Sequence, residues 1–391
     1  MKIGISGMFW TQPGVGSGQY LHQLVRHLPA AGPQHSYLLF IPAYPRAERP
    51  ALPGVEIDVI PTPFDRKSRQ LAKLWYEQVE LPRAARRLGV DLLHVPYLAP
   101  PLRRTVPVVC TIHDLIPLLL PEYRGSPFIR GYTALVTSAA RRVIACIADS
   151  DHTRDDVVRH LHLPAQRVHT VYLAPAPIYR PVEDRREIEA VLREHRLREP
   201  YIYYVGGLDA RKNLGTLLRA FGRVRRRFNR PVQLAIAGRP IKKPSALFPS
   251  LEPIILDEGI AADVAFLGYV SEEHNRALYS GCAAFVYPSR YEGFGLPPLE
   301  AMACGAPVVC SNATSLPEAV GSAAILVDPH DVEGWAQGML RFLEDEEQRE
   351  EYRGRGLRRA ARFTWPQVAA NTLAVYERAF EASLSTVNYG A

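Results

Sequence analysis

The chain has 391 residues, 47% of them apolar and 22% charged, so it is long enough for two globular domains with substantial cores. Its 47 Lys and Arg against 40 Asp and Glu leave a formal charge of +7, a mild basic excess that suits a phosphate site. Neither this excess nor any motif of recognisable spacing indicates nucleic-acid binding.

The cysteines and the amino-terminal segment indicate the compartment. The five cysteines are scattered and form no Cys-x-x-Cys pair, which predicts neither a zinc site nor a disulfide framework. The opening segment M-K-I-G-I-S-G is typical of a strand and lacks the apolar region of a secretory signal. No apolar run approaches the ~20 residues that span a bilayer. We therefore expect a cytoplasmic chain with reduced thiols.

Short apolar runs alternate with helical patterns from end to end, which predicts parallel sheets covered by helices. The strands predicted in the first half lie at 2–7, 37–41, 55–60, 91–95, 107–113, 143–149 and 168–172. Those of the second half lie at 201–205, 232–237, 264–267, 283–287, 307–310 and 324–327. A proline-rich connector near Ala174 separates a first domain, 1–175, from a second, 176–365. The expected fold is α/β, with two doubly wound Rossmann-like domains facing each other across a cleft.

The first strand runs into a glycine-rich turn at 14–18, followed by a helix predicted over about 19–28. Such a turn resembles a dinucleotide-binding fingerprint but is a weak signal by itself. A dehydrogenase would need an acidic residue at the end of the second strand, where the sequence has Pro42 and Ala43. The NAD interpretation is therefore disfavoured.

His113 and Asp114 close the fifth strand. A histidine in this position either bonds a backbone carbonyl or serves a site, and the residues alone leave both open. Asp114 either orients this histidine or caps the next segment. The run Asp149-Ser150-Asp151 has the form of a metal motif, but it lies between a strand and a helix, so Ser150 or Asp151 is predicted to be an N-cap. No metal site is predicted.

The segment 66–80 has apolar residues at helical spacing and a basic flank. Its apolar positions are Leu71, Leu74, Trp75 and Val79. A basic amphipathic helix can lie on an acidic membrane. More often the apolar stripe packs on the protein's own sheet, which is the interpretation we favour.

The second domain opens with a strand that runs into Gly206-Gly207 and then into Arg211-Lys212, just before a helix starting near Asn213. Two cations beside a helix N-terminus suit a pyrophosphate, because Arg can pair bidentately and Lys acts as a point charge.

The stretch 289–311 contains two carboxylates on either side of a turn, Glu292 and Glu300. The loop Gly293-Phe294-Gly295 can bring backbone N–H groups close to a ligand, and a helix is predicted to open near Pro297. Carboxylates in such positions suit the hydroxyl groups of a sugar or a ribose.

The words YEGFGLPPLEAMACGAPVV, with seven residues between Glu292 and Glu300, resemble the Glu-x7-Glu signature of retaining glycosyltransferases of family four, or group 1, with the GT-B fold. The resemblance covers both halves and is most specific over 201–329. It implies that Glu292 faces the donor sugar and that Glu300 holds the nucleotide ribose. It also implies that a C-terminal helix, 366–391, packs back on the first, acceptor-side domain.

The resemblance also assigns roles in the other segments. It places His113 near the reacting carbon, and the glycine-rich turn near the donor phosphates and the acceptor. The candidate catalytic residues are then His113 and Glu292. The candidate donor-binding residues are Gly16, Gly207, Arg211, Lys212, Gly293, Phe294, Gly295, Leu296 and Glu300.

The implied activity is retaining, metal-independent transfer of a hexose from a nucleoside-diphosphate sugar to a glycan or lipid-linked acceptor, without a cofactor. The phrases THDLIPLLLPEY and YVGGLDARKNL resemble mannosyltransferases of bacterial polysaccharide synthesis, which favours GDP-mannose. The alternatives are a nucleotide-sugar epimerase or hydrolase on the same fold and a non-catalytic nucleotide-sugar binding protein. The non-catalytic alternative predicts loss of the charged site residues, all of which are present. A peripheral contact with the inner membrane face stays open.

Overall fold

The computed structural model describes residues 1–43, 51–241 and 243–388, with side chains to 385. The chain divides into two compact units, one of Met1–Leu173 with Thr364–Ala391 and one of Ala174–Phe363. Each unit is a parallel sheet with connecting helices, which confirms the predicted α/β class. Residues 389–391 of the predicted C-terminal helix lie outside the described residues.

The described part of the first unit contains a parallel sheet of seven strands in the order β3-β2-β1-β4-β5-β6-β7. Its strands are β1 (Lys2–Ser6), β2 (Ser36–Pro42), β3 (Val55–Ile60), β4 (Leu92–Val95), β5 (Val108–Ile112), β6 (Ala145–Ala148) and β7 (Val168–Thr170). Its first helices are α1 (Gly16–Ala31), α2 (Arg69–Trp75), α3 (Leu81–Arg87), α4 (Ile116–Leu119), α5 (Pro127–Ala140) and α6 (Asp151–Leu161). The strand β5 is buried along its whole length, as expected where helices cover both faces of a sheet.

The second unit has, within its described residues, a parallel sheet of six strands in the order β10-β9-β8-β11-β12-β13. These strands are β8 (Tyr201–Val205), β9 (Gln233–Ala237), β10 (Val264–Gly268), β11 (Ala284–Tyr287), β12 (Val308–Ser311) and β13 (Ala324–Val327). The helices are α7 (Arg185–Glu194), α8 (Leu214–Arg227), α9 (Glu252–Asp257), α10 (Glu272–Gly281), α11 (Leu296–Ala303), α12 (Leu316–Val320), α13 (Val332–Glu344) and α14 (Glu346–Ala360). Every predicted strand of both halves is present, with ends shifted by no more than a few residues.

The C-terminal helix, α15 (Trp365–Asn388), belongs to the first unit and packs against α1. The approach is close at Gly32, where a Cβ would lie 2.5 Å from the Leu373 side chain. Tyr376 of α15 is fully buried and donates or accepts a 2.7 Å hydrogen bond with His94 of β4. The last helix is therefore an integral part of the first unit's core.

The amphipathic segment differs in part from its prediction. The helix α2 continues through a π-helical turn, Tyr76–Glu80, into α3, and its buried residues are Ala72, Tyr76 and Glu77. The stripe that the sequence suggested as the packing face is only half buried, and Leu71 is 41% exposed. That stripe lines an apolar groove together with Leu102. Leu74, Trp75 and Val79 are nevertheless partly buried, so packing of the stripe on the sheet, which we favoured, stays a prediction.

No helix in the part of the chain that the structure describes has both the length and the apolar character needed to cross a bilayer.

Candidate functional site

The second unit places its candidate site where the strand order reverses, between β8 and β11. In doubly wound sheets, ligands bind outside the carboxyl ends of the strands at this point. The two loops that leave these ends are joined by hydrogen bonds. The Arg290 N–H donates to the Arg211 carbonyl at 2.8 Å, and the Asn213 amide donates to Pro288 O at 3.1 Å. The loops thus form one surface although they are about eighty residues apart in sequence.

Two cations converge on one carboxylate in this surface. Glu292 Oε1 lies 2.8 Å from Arg211 Nη1 and 2.5 Å from Lys212 Nζ. The Tyr287 hydroxyl donates to the same oxygen at 3.1 Å. Asp209 lies 3.4 Å from the other side of the Arg211 guanidinium. The sequence predicted Arg211, Lys212 and Glu292 as site residues but did not predict that they contact one another.

The cluster stays ionic at neutral pH. Burial alone would raise the pKa of Glu292, but attraction to Lys212 and Arg211 outweighs it and lowers that pKa to about 2. Burial also lowers the pKa of the Lys212 ammonium, against the pull of Glu292. We assign the pair as ammonium and carboxylate, because Lys212 and Arg211 together lower the pKa of Glu292 far below neutral pH.

The glycine-rich loop is held by the segment after β12. The Thr314 hydroxyl accepts from the Glu292 N–H at 3.0 Å, and the Ser315 hydroxyl donates to the carbonyls of Glu292 and Phe294. Gly295 has φ of +111°, a conformation that requires glycine, and Leu296 then starts α11. The backbone geometry of this loop is therefore fixed by hydrogen bonds and by residue type.

The remaining donor-binding candidates of this unit lie in the same two loops. The Phe294 ring is buried and packs edge-on against Phe363, so this residue offers a ligand its backbone rather than its ring. Gly293 precedes it, as predicted. At Gly207 a Cβ would lie 2.5 Å from the Asp209 carboxylate, so a side chain would disturb the acid that flanks Arg211.

Glu300 has surroundings of a different kind. Its carboxyl lies inside α11, and the Tyr279 hydroxyl donates to Oε2 at 3.3 Å. Burial raises the pKa of Glu300 to about 8; the Tyr279 bond opposes the shift and Glu272 adds to it. At neutral pH this carboxyl is therefore neutral and can both donate and accept a hydrogen bond.

In the first unit His113 bonds two acceptors. Its Nδ1 lies 2.7 Å from Asp149 Oδ2, and its Nε2 lies 3.1 Å from the Pro96 carbonyl. A carboxylate and a carbonyl can only accept, so both ring nitrogens must donate, as in the imidazolium. Burial opposes this charge, but Asp149 outweighs it, and the pKa of His113 is raised. His113 thus carries a positive charge held by a buried carboxylate.

Sequence reasoning missed Asp149 as the partner of His113. The structure shows that Asp114 caps the next segment by accepting from the Ile116 N–H at 2.9 Å. Ser150 is the N-cap of α6 and accepts from the Thr153 N–H at 3.0 Å, as predicted. Because β5 and β6 are parallel neighbours, residues just past their carboxyl ends are adjacent, and this relation could have suggested the pair.

A buried network of ring contacts and hydrogen bonds packs against His113. Tyr20 packs edge-on against the His113 ring with centroids 5.0 Å apart, and its hydroxyl lies 3.3 Å from Thr111. His94 Nε2 lies 2.8 Å from the same Thr111 hydroxyl. Burial and the charge of His113 lower the pKa of His94 to about 3, so this second histidine is neutral. The network fixes Tyr20 of α1, the helix that begins at the glycine-rich turn.

The glycines of that turn differ in how much space surrounds them. A Cβ on Gly18 would lie 2.0 Å from the Gln12 carbonyl, so close packing excludes any side chain there. A Cβ on Gly16, the predicted site residue, would meet no described atom within 4 Å. The packing of the described residues therefore does not require glycine at residue 16.

Comparison with known proteins fits this architecture. The family described as "Glycosyl transferases group 1" matches residues 185–359, and "Glycosyltransferase Family 4" matches residues 15–174. The O-antigen chain mannosyltransferase B of Escherichia coli is 35% identical over 270 residues, covering 69% of this chain and 70% of that relative.

Two solved structures share the fold. A sucrose-phosphate synthase from Thermosynechococcus elongatus matches with a TM-score of 0.75 and 20% identity, over 98% of this chain and all of that one. The HepE protein of Anabaena, solved in complex with UDP and glucose, matches with a TM-score of 0.73 and 19% identity, over 97% of this chain and all of that one.

The two parallel sheets and these neighbours show that the chain has the GT-B fold. The chain belongs to the family of the group 1, or family 4, glycosyltransferases, and its relatives include mannosyltransferases of O-antigen synthesis.

Proposed function

We propose that the chain is a retaining mannosyltransferase that transfers mannose from GDP-mannose to a glycan or lipid-linked acceptor. The observation that carries the proposal is the cluster of Arg211, Lys212 and Glu292 at the strand-order reversal of the second unit. The likeness to an O-antigen mannosyltransferase supports the choice of sugar. The guanine base and the retained stereochemistry rest on the resemblance to the family.

The charges of the cluster suit a departing nucleoside diphosphate. Breaking the bond to the anomeric carbon places negative charge on the diphosphate, and Arg211 and Lys212 would stabilise it. Without a donor, Glu292 neutralises both cations. A diphosphate competes for these contacts, which leaves the Glu292 carboxylate beside the Tyr287 hydroxyl and available to the sugar's hydroxyl groups. The acceptor hydroxyl then attacks the anomeric carbon from the side of the leaving group and gives its proton to the departing diphosphate.

His113 is proposed to act on the same reaction from the first unit. Its imidazolium is fixed by Asp149, so its positive charge is present before substrate binds. A fixed positive charge costs no reorganisation when negative charge develops on the departing diphosphate in the transition state. Gly16 is proposed to leave room for the donor phosphates beside the N-terminus of α1.

The acceptor is proposed to bind beside the loop after β1. A hollow of about 340 Å³ there has a mixed lining. Its polar residues are Gln12, Asp65, Arg69, Gln70 and Lys73, and its apolar residues are Met8, Phe9, Pro42 and Ala72. The Lys73 ammonium lies 5.7 Å from the centroid of the Phe9 ring. Amide, carboxylate and cationic groups beside an aromatic ring suit the hydroxyls and the apolar face of a sugar.

A donor panel tests the activity. The chain is incubated with GDP-mannose, GDP-glucose, UDP-glucose and UDP-galactose, with and without a mannose-terminated glycan, and released nucleoside diphosphate is measured. We expect release that depends on the acceptor and is fastest with GDP-mannose. Equal release without acceptor would indicate a hydrolase. Conversion of the donor to an isomer would indicate an epimerase, and binding without any turnover would indicate the non-catalytic alternative.

The transfer is proposed to need no metal, because side-chain cations replace the ion that would neutralise the leaving group. Turnover should therefore persist in EDTA. Loss of turnover in EDTA, restored by Mg²⁺ or Mn²⁺, would overturn this part of the proposal.

A peripheral membrane contact is proposed at the groove beside α2. Leu71 and Leu102 are exposed there, and Arg103 lines the same groove. Apolar side chains next to cations bind surfaces that carry anionic lipid. Sedimentation with phosphatidylglycerol vesicles should therefore exceed sedimentation with phosphatidylcholine vesicles, and Leu71→Ser with Leu102→Ser should abolish the difference. If the native chain and the double variant sediment equally with phosphatidylglycerol vesicles, the contact is refuted.

A further inference from the structure

Three side chains of the metal-ligand type meet on the second unit, where α7 ends and α10 begins. They are Glu194 and His195 from the end of α7, and His274 from the first turn of α10. One ligand atom of each lies within 4.8 Å of the others. His195 and His274 are 79 residues apart in sequence, so no local sequence motif predicts the group.

The distances fit a tetrahedral ion. His195 Nε2 and His274 Nδ1 lie 3.2 Å apart, and Glu194 Oε1 lies 3.8 Å from His274 Nδ1. Two nitrogens bound to Zn²⁺ at 2.0–2.1 Å in tetrahedral geometry are about 3.3 Å apart. The imidazole rings stand edge to face, at 89° with centroids 5.4 Å apart, and the two nitrogens share a hydrogen bond, so both already face the same small region.

Contacts between α10 and the segment that contains α7 hold this geometry. Arg276 of α10 pairs with Glu187 of α7 at 3.3 Å, and the Ser280 hydroxyl accepts from the Val182 N–H at 3.1 Å. The N-cap Ser271 accepts from the His274 N–H, which fixes the first turn of α10. An ion would therefore bind side chains whose backbones are already in place, at little cost in ordering.

The group is also accessible from solvent. The side chains of Glu194 and His274 are 66% and 31% exposed, so an ion can reach them from solvent.

We propose that Glu194, His195 and His274 form a binding site for a divalent transition metal of the Zn²⁺ class. Two imidazoles and one carboxylate are ligands that Zn²⁺ prefers, whereas Mg²⁺ and Ca²⁺ prefer oxygen alone. Water completes the coordination. The ion joins α7 to α10 and stabilises the second unit. It takes no part in sugar transfer, so the proposal is independent of the EDTA result expected for turnover.

Metal binding is measured directly on the full, untagged chain. The chain is stripped with EDTA, dialysed, and titrated with Zn²⁺ in competition with a fluorescent chelator. We expect one Zn²⁺ per chain that Mg²⁺ in large excess does not displace. Zn²⁺ should raise the melting temperature of the chain, because an ion that binds only the folded state stabilises it. Absence of stoichiometric binding overturns the proposal.

Variants locate the ion. His195→Ala and His274→Ala should each weaken Zn²⁺ binding by at least about tenfold, since even groups outside the ligand set cost that much. Glu194→Gln should weaken it less, and His330→Ala, which removes another exposed histidine of this unit, should leave it unchanged. Melting temperatures in EDTA show that each variant folds. Unaltered Zn²⁺ affinity in the His195→Ala, His274→Ala double variant contradicts the assignment.

Discussion

The loop before α11 and the helix itself each carry one candidate glutamate. At neutral pH the carboxyl group of the loop is ionised and that of the helix is neutral. Their burial is nearly the same, with Glu292 9% and Glu300 8% exposed. Glu292 faces two cations and its pKa is lowered to about 2, while Glu300 faces a tyrosine hydroxyl and its pKa is raised to about 8. The partner, not the degree of burial, decides the charge.

This difference separates two ways in which a carboxyl group can serve a donor sugar. A carboxylate between two cations controls the charge that meets a diphosphate. A neutral carboxyl without a cation partner offers hydrogen bonds to a neutral group such as a ribose. The account therefore expects Glu292 to act on the transition state and Glu300 to act on binding.

The largest effect is expected at Glu292. Glu292→Gln keeps the shape of the side chain but removes its charge, so kcat should fall by at least about a hundredfold, the scale of one lost transition-state contact. Steady-state kinetics with the best donor measures it. Glu300→Gln is the matched control, because it makes the same change at similar burial. An unchanged kcat in Glu292→Gln would remove the distinction between the two glutamates.

The next effect is expected at a cation that Glu292 holds. Arg211→Ala should lower affinity for GDP by at least about tenfold, because a charge-assisted contact contributes about 1.5–3 kcal/mol. Calorimetry measures it. Arg227→Ala, at the exposed end of α8, is the control and should bind as the native chain does. Undiminished GDP affinity in Arg211→Ala would show that the diphosphate lies elsewhere.

Asp149 and His113 extend the comparison to the first unit, where a carboxylate again sits on a cation. Asp149 raises the pKa of His113, so the charge and its contribution to stability are present at low pH and are lost as pH rises through the raised pKa. In Asp149→Asn this loss should begin at lower pH. Turnover relative to the native chain should therefore fall between about pH 5 and 8. A ratio that does not change with pH would contradict the pairing.

The smallest effect is expected at Glu300. The unfolded chain releases this proton near 4.5 but the folded chain near 8, so native stability falls as pH rises through that window. Glu300→Gln cannot ionise and should gain melting temperature relative to the native chain from pH 5 to pH 8. Donor KM should rise about two- to tenfold, the scale of one hydrogen bond. If the difference in melting temperature between Glu300→Gln and the native chain does not change with pH, Glu300 is ionised in the folded chain over this range.

Local sequence patterns predicted the strands and the two site loops, because apolar runs and glycine positions are local signals. They did not predict contacts between distant loops. Glu292 and Lys212 are 80 residues apart, and His113 and Asp149 are 36 apart; each pair meets only through the order of strands in a sheet. Helical spacing also identified the apolar stripe that includes Leu71, but it could not show how much of that stripe is covered.

The most direct test of the account is the affinity of Glu292→Gln for a nucleoside diphosphate alone. If Glu292 neutralises Arg211 and Lys212 until a donor arrives, removing its charge leaves both cations available. Calorimetry should then show GDP bound at least as tightly as by the native chain, although kcat has fallen. A loss of GDP affinity as large as that of Arg211→Ala would contradict the account, because the carboxylate would then hold the cations in place for the diphosphate instead of competing with it.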